Sequence, residues 1–143
     1  MKKYLFLLTL FTIVFISGCA SKSFQHSPGD DQVRQQGEEI VSAVIAADYE
    51  RFVAGSGDKS DNPEQDTADF KRSCRQLTEQ FGTAESFRFL GELQTPLLIN
   101  QIYAVRFIKT KNGNSGNIEH EQMFQLILGK QDGKYKLLGM RFI

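Results

Sequence analysis

Ile102-Tyr103-Ala104-Val105-Arg106-Phe107-Ile108 is the stretch whose period decides the fold. Successive side chains of an extended chain point to opposite faces. In the run from Leu98 to Lys111, Tyr103, Val105 and Phe107 therefore share one face, and Ile102, Ala104, Arg106 and Ile108 share the other. The same period of two extends to both sides. Upstream, Phe87 and Phe89 alternate with Ser86 and Arg88 in a strand that starts at Glu85 and ends near Pro96, which has no backbone hydrogen to donate. Downstream, a third strand from Ile118 to about Lys130 sets Phe124, Leu126 and Leu128 against Met123 and Ile127. A fourth strand, Tyr135 to Ile143, alternates through Leu138, Met140 and Phe142. Asn112 to Asn117 reads as a hairpin loop, and Asp132-Gly133 as the turn before the last strand.

Ahead of the strands the period is helical. Val33, Ile40, Val41, Val44, Ile45, Tyr49 and Phe52 recur at three- and four-residue spacings, which predicts one amphipathic helix from about Asp31 to Val53. The polar, glycine-rich segment from Ala54 to Asn62 is a loop by composition. Asn62-Pro63-Glu64-Gln65 then offers an N-cap, a proline at the first helical position and a glutamine three residues on. The second helix buries Phe70, Cys74, Leu77 and Phe81, shows Lys71, Arg72, Arg75 and Glu79 to water, and stops at Gly82, a residue suited to a left-handed terminus.

Helices followed by a run of antiparallel strands is an α+β order: two N-terminal helices packed on a curved four-stranded antiparallel meander, as a single domain over residues 31–143. Both faces of the second and third strands carry apolar side chains. An antiparallel sheet with one wet face alternates more cleanly, so the second face is expected to be covered, most simply by another copy of the chain in a homodimer.

The N-terminus reads as an export signal. Met1-Lys2-Lys3 is charged, the run from Tyr4 to Ile16 is apolar but short for a permanent span, and Ile16-Ser17-Gly18-Cys19-Ala20 has small residues at a cleavage point. That ending resembles the lipobox of bacterial lipoproteins. The resemblance implies a signal peptide over residues 1–18, a lipid on Cys19 and a flexible tether over residues 19–30 that carries Pro28 and Gly29. Membrane lipid, held through the acyl chains on Cys19, is then the one implied partner, and the protein is anchored rather than spanning. Ala20 lacks the aspartate that retains such proteins at the inner membrane, which favours the outer membrane facing the periplasm in a bacterium with two membranes.

Charge excludes several classes. Lys2 and Lys3 leave with the signal, so 17 basic and 17 acidic residues become 15 and 17. This balance offers no basic excess for nucleic acid, and no polybasic block follows the anchor. With Cys19 acylated, Cys74 has no cysteine partner and reads as a small buried hydrophobe. His120 is the only histidine outside the tether, which also holds His26, so a multi-histidine metal site is excluded and no cofactor is implied.

The helix ending Ala47-Asp48-Tyr49-Glu50-Arg51-Phe52, the helix Phe70 to Phe81, and the strands Tyr103 to Phe107, Met123 to Leu128 and Tyr135 to Phe142 together resemble the uncharacterised bacterial lipoproteins and periplasmic domains of the nuclear-transport-factor-like, or cystatin-like, cone fold. The likeness lies in element order and apolar pattern over nearly the whole mature domain, without an invariant motif. It implies either a small binding or protein-interaction module or, as the alternative, a small isomerase, dehydratase or hydrolase acting on an apolar metabolite.

Four residues are candidates for the catalytic alternative: Asp48 as a base raised by an apolar cone, Tyr49 or Tyr103 as an oxyanion donor, and His120. Beside each stands a plainer role. Asp48 can be a rim residue pairing with Arg51 or Lys59, Tyr49 core, and His120 a solvated strand end between Glu119 and Glu121. Arg106 and Arg141 fall inside otherwise apolar strands and are candidates for anion binding if they meet on one sheet face, or surface arginines pairing with Glu92 or Glu121 if they do not.

Overall fold

The helical stretch expected from Asp31 to Val53 is two helices, α1 (Pro28–Ile45) and α2 (Tyr49–Ser56), so the described residues hold three helices rather than two. Ala47 makes the break with a left-handed φ of 53°. Asp48 follows in an extended conformation, and its side chain accepts the Arg51 backbone N–H at 3.1 Å. A carboxylate there satisfies one of the free amides of a new first turn, which is why the helix restarts instead of continuing. The break turns Tyr49 and Phe52 onto Phe70, with ring centroids 5.6 and 4.8 Å away.

This arrangement is seen in a computed structural model that describes residues 28–57, 60–110 and 116–143. The expected export signal, Cys19, most of the tether, Asp58, Lys59 and the hairpin residues 111–115 lie outside the described residues.

The next helix, α3 (Pro63–Phe81), starts where its proline predicts. Asn62 holds the N-cap position without a side-chain cap bond. Ser60 braces the entry instead, accepting the Asn62 N–H at 3.1 Å and donating to Asp66 at 2.5 Å. Gly82 closes the helix with φ 97° but outside the left-handed helical region. A Cβ at Gly82 would collide with the Ile108 carbonyl, so this glycine serves close approach of the helix end to the sheet.

Four strands follow as an antiparallel meander in sequence order: β1 (Thr83–Gln94), β2 (Leu98–Thr110), β3 (Asn117–Gln131) and β4 (Lys134–Phe142). Tyr103 at the centre of β2 stands opposite Phe89 on one side and Phe124 on the other. The turn at Asp132-Gly133 has positive φ at both residues, as its sequence predicts. The face expected for β4 needs correction. An irregularity at Ile127/Leu128 sets Gly139 opposite Ile127 and Leu137 opposite Leu128, so Leu138 is the extra residue of a bulge. Leu137 and Phe142 therefore pack on the core, while Leu138 is 53% exposed.

The inner sheet face supplies Ile99, Tyr103, Val105, Phe107, Phe124, Leu126 and Leu128 to the core, against Val33, Ile40 and Val41 of α1. Each such large apolar side chain contributes about 1.5–3 kcal/mol on full burial. Val44, Phe70 and Cys74 form a second cluster that ties α3 to α1. On the outer sheet face some apolar side chains stand open, Leu93 at 69% and Met123 at 47% exposed, while Ala104 is buried.

Candidate functional site

Residues 71, 74, 75 and 78 of α3 fall on one helical stripe, because positions three and four apart are neighbours on a helix surface. That stripe faces a cleft of about 290 Å³ between α3, the end of α1 and the inner sheet face. Phe107 and Phe142, with ring centroids 5.8 Å apart, line its sheet side. Val44, Cys74, Leu77 and Ala84 complete the apolar lining, and the exposed residues Lys71 and Arg75 border it.

Two polar groups of the lining are already engaged. The Cys74 thiol points to the Val44 carbonyl at 3.6 Å, and burial pushes its pKa up, which keeps it a thiol and a poor nucleophile. The Thr78 hydroxyl donates to the Cys74 carbonyl at 3.1 Å. Neither Lys71 nor Arg75 has a carboxylate partner among the described residues, whereas Arg34, Arg72, Arg88 and Arg106 pair with Glu38, Asp69, Glu121 and Glu119 respectively. The sequence places Lys71 and Arg75 on the water side of their helix. The signal that could have found them is their shared stripe with Cys74, since a cation beside a buried cysteine on one helical face borders whatever that face packs against.

The four catalytic candidates are not brought together. Asp48 caps α2 by accepting the Arg51 backbone amide, and no ion pair with the Arg51 guanidinium is seen among the described residues. Tyr49 packs on Phe70. His120 lies on the inner face opposite Phe107 and stacks on it at 5.8 Å, so it is an aromatic neighbour of the core rather than a solvated strand end. Tyr103 is fully buried, and its hydroxyl donates to Gln101 Oε1 at 2.9 Å. Gln101 Nε2 in turn donates to the Val33 carbonyl and to Glu92. Burial, with Glu38 and Glu92 adding to it against Arg34, holds the Tyr103 phenol far above its ordinary range. No hydrogen bond links any two of these four residues among those described.

The two arginine candidates do not form a joint site either. Arg106 pairs with Glu119 at 2.6 Å and with Glu85 at 3.4 Å, not with Glu92 or Glu121. Arg141 donates to Gln125 Oε1 at 2.6 Å, and Gln125 donates on to Asn100 at 2.9 Å. Opposite Arg106 in the sheet stands Glu121, and opposite Arg141 stands Gln125, four residues further along β3. Among the described residues no group of three or more histidine, cysteine or acidic side chains could hold a metal ion, and no helix is long and apolar enough to cross a membrane.

No protein-family description and no curated protein sequence matches the chain. Solved structures do. A designed NTF2 protein superimposes with a TM-score of 0.51 at 13% identity, over 80% of this chain and 99% of its own. A Campylobacter jejuni protein described as an NTF2-like transpeptidase is similar at TM-score 0.44 and 14% identity, over 78% of this chain and 97% of its own. A SEC-C motif protein of Rhodopseudomonas palustris gives 0.39 at 16% identity, over 72% of each chain. The designed protein and the arrangement of helices on a four-stranded antiparallel sheet establish the α+β cone fold. At these identities the likeness concerns fold alone.

Proposed function

We propose that the chain is a lipid-anchored binding module of the cell envelope whose ligand site is the cleft between α3 and the sheet. The observation that carries this reading is the lining: Val44, Leu77, Phe107 and Phe142 present apolar surface, and no acid–base pair converges on it. A cleft of this kind holds a ligand by removing apolar surface from water. The enzymatic alternative needs a general base within reach of the same space. Asp48 is committed to a helix cap and Tyr103 to Gln101, which favours binding over catalysis.

The cleft is tested with a neutral naphthylamine fluorophore added to the full chain. Binding with intermolecular nuclear Overhauser contacts to Val44 and Leu77 methyls supports the site; saturable binding with contacts elsewhere, or none, overturns it. The anchor rests on the charged start, apolar run and Cys19 of the sequence. Metabolic labelling with palmitate should mark the chain, and Cys19→Ser should abolish the label; a labelled Cys19→Ser chain overturns the anchor.

A second reading concerns the outer sheet face as the surface of a homodimer. Leu93, Met123 and Leu138 are exposed there, and Arg88, Arg106 and Arg141 are matched in number by Glu85, Glu119 and Glu121 around them. A face balanced in this way does not repel its own copy. Sedimentation of the full chain in detergent should give a dimer that Leu138→Glu splits; a monomeric wild-type chain removes this reading.

A further inference from the structure

We infer that the cleft selects small amphipathic carboxylates, with the apolar body between Phe107 and Phe142 and the carboxylate at Lys71 and Arg75. This rests on the cleft being the ligand site, and it specifies the chemical class that the site takes. Three observations carry it.

Lys71 and Arg75 lie one helical turn apart and both border the same apolar cleft. They have no carboxylate partner among the described residues, although Glu79 stands one turn beyond Arg75 on the same helix. Arg34, Arg72, Arg88 and Arg106 are all matched to acids, whereas Lys71 and Arg75 border the cleft with no such match among the described residues. An ammonium beside a planar guanidinium fork suits the two oxygens of a carboxylate.

Size sets the rest of the class. At roughly 30 Å³ per non-hydrogen atom, by analogy with the share of a water molecule in the liquid, 290 Å³ accommodates a body of about ten such atoms. That fits an alkyl or aryl acid of metabolite size. The aromatic sheet side favours flat or flexible apolar bodies, since Phe107 and Phe142 supply ring faces and no hydrogen-bonding group.

The experiment compares butylbenzoate with the uncharged butylbenzyl alcohol on the full chain by calorimetry, with amide and side-chain shifts recorded at Cys74, Leu77 and Phe142. The carboxylate should bind about tenfold tighter than the alcohol, a gap of the size expected for charge-assisted contacts at a water-exposed rim. High salt should narrow that gap. The double variant Lys71→Met with Arg75→Met, confined to exposed positions, should erase it, so that this variant binds the two compounds with equal affinity. Equal affinity of the wild-type chain for both compounds overturns the anionic class while the cleft stands. Shifts at none of the three residues with either compound overturn the cleft itself, and the inference with it.

Discussion

Gly37 lies directly over the side chain of Gln101: a Cβ at Gly37 would land on Gln101 Oε1, with the Tyr103 hydroxyl beside it. The glycine lets α1 approach the sheet closely enough for Gln101 Nε2 to donate to the Val33 carbonyl at 3.2 Å. Two effects oppose each other in Gly37→Ala. Alanine favours the helix by about 1 kcal/mol, but crowding a packed interior costs about 1–3 kcal/mol. Gln101 Oε1 is held by the Tyr103 hydroxyl, and the Nε2 of the same amide is held by Val33 and Glu92, so crowding should win. Urea unfolding should show a lowered midpoint; a raised midpoint would mean that Gln101 yields freely.

Tyr103→Phe removes the donor to Gln101 Oε1 and leaves a buried acceptor without a partner. The expected loss is about 1–3 kcal/mol of unfolding free energy. Combining it with Gln101→Met removes both ends of the bond, so the double variant should lose less than the sum of the singles. Additive losses in denaturation would show that the bond couples nothing.

Asp48 separates a structural role from a chemical one. Asp48→Ala removes the acceptor for the Arg51 amide and should cost about 1 kcal/mol, while Asp48→Asn keeps an acceptor and should change stability little. Neither should change the affinity of an apolar probe for the cleft. A loss of affinity in Asp48→Asn at unchanged thermal midpoint would return Asp48 to the site.

The sheet was legible because its period is strict: Tyr103, Val105, Phe107, Phe124, Leu126 and Leu128 all fall on the inner face, as alternation requires. What broke the pattern was local backbone geometry that apolar spacing does not encode. Leu138 leaves the expected face through a bulge opposite Ile127 and Leu128, and the first helix parts at Ala47, a residue type with no preference for the left-handed φ it adopts. Asp48 is a residue type suited to an N-cap, but the apolar spacing from Val44 to Phe52 runs straight through it. Chemistry was harder to read than fold. Tyr103 and His120 look reactive by residue type, yet one is sealed by Gln101 and the other stacked on Phe107. Lys71 and Arg75, charged and on a solvated helix, gain interest only once the cleft beside them is known.

On the outer face Arg88 holds Glu121 through two contacts, Nη2 to Oε2 at 2.9 Å and Nε to Oε1 at 3.4 Å. The hydrogen bond from Arg88, with its charge and that of Arg106 acting in the same direction, keeps the Glu121 carboxyl below the usual glutamate range against slight desolvation. An acid depressed in the folded state stabilises that state above its unfolded pKa, near 4.3 for glutamate, and the contribution fades as pH falls through the lower folded value. Wild type should therefore exceed Arg88→Gln in stability at neutral pH, with the difference closing below about pH 4. In carboxyl resonances followed by NMR, the Glu121 midpoint should rise in Arg88→Gln, though Arg106 keeps part of the depression. Because the pair is exposed and screened, the stability difference should also shrink with added salt. A difference that persists unchanged into acid would assign the effect of Arg88 to the packing of its aliphatic stem rather than to its charge.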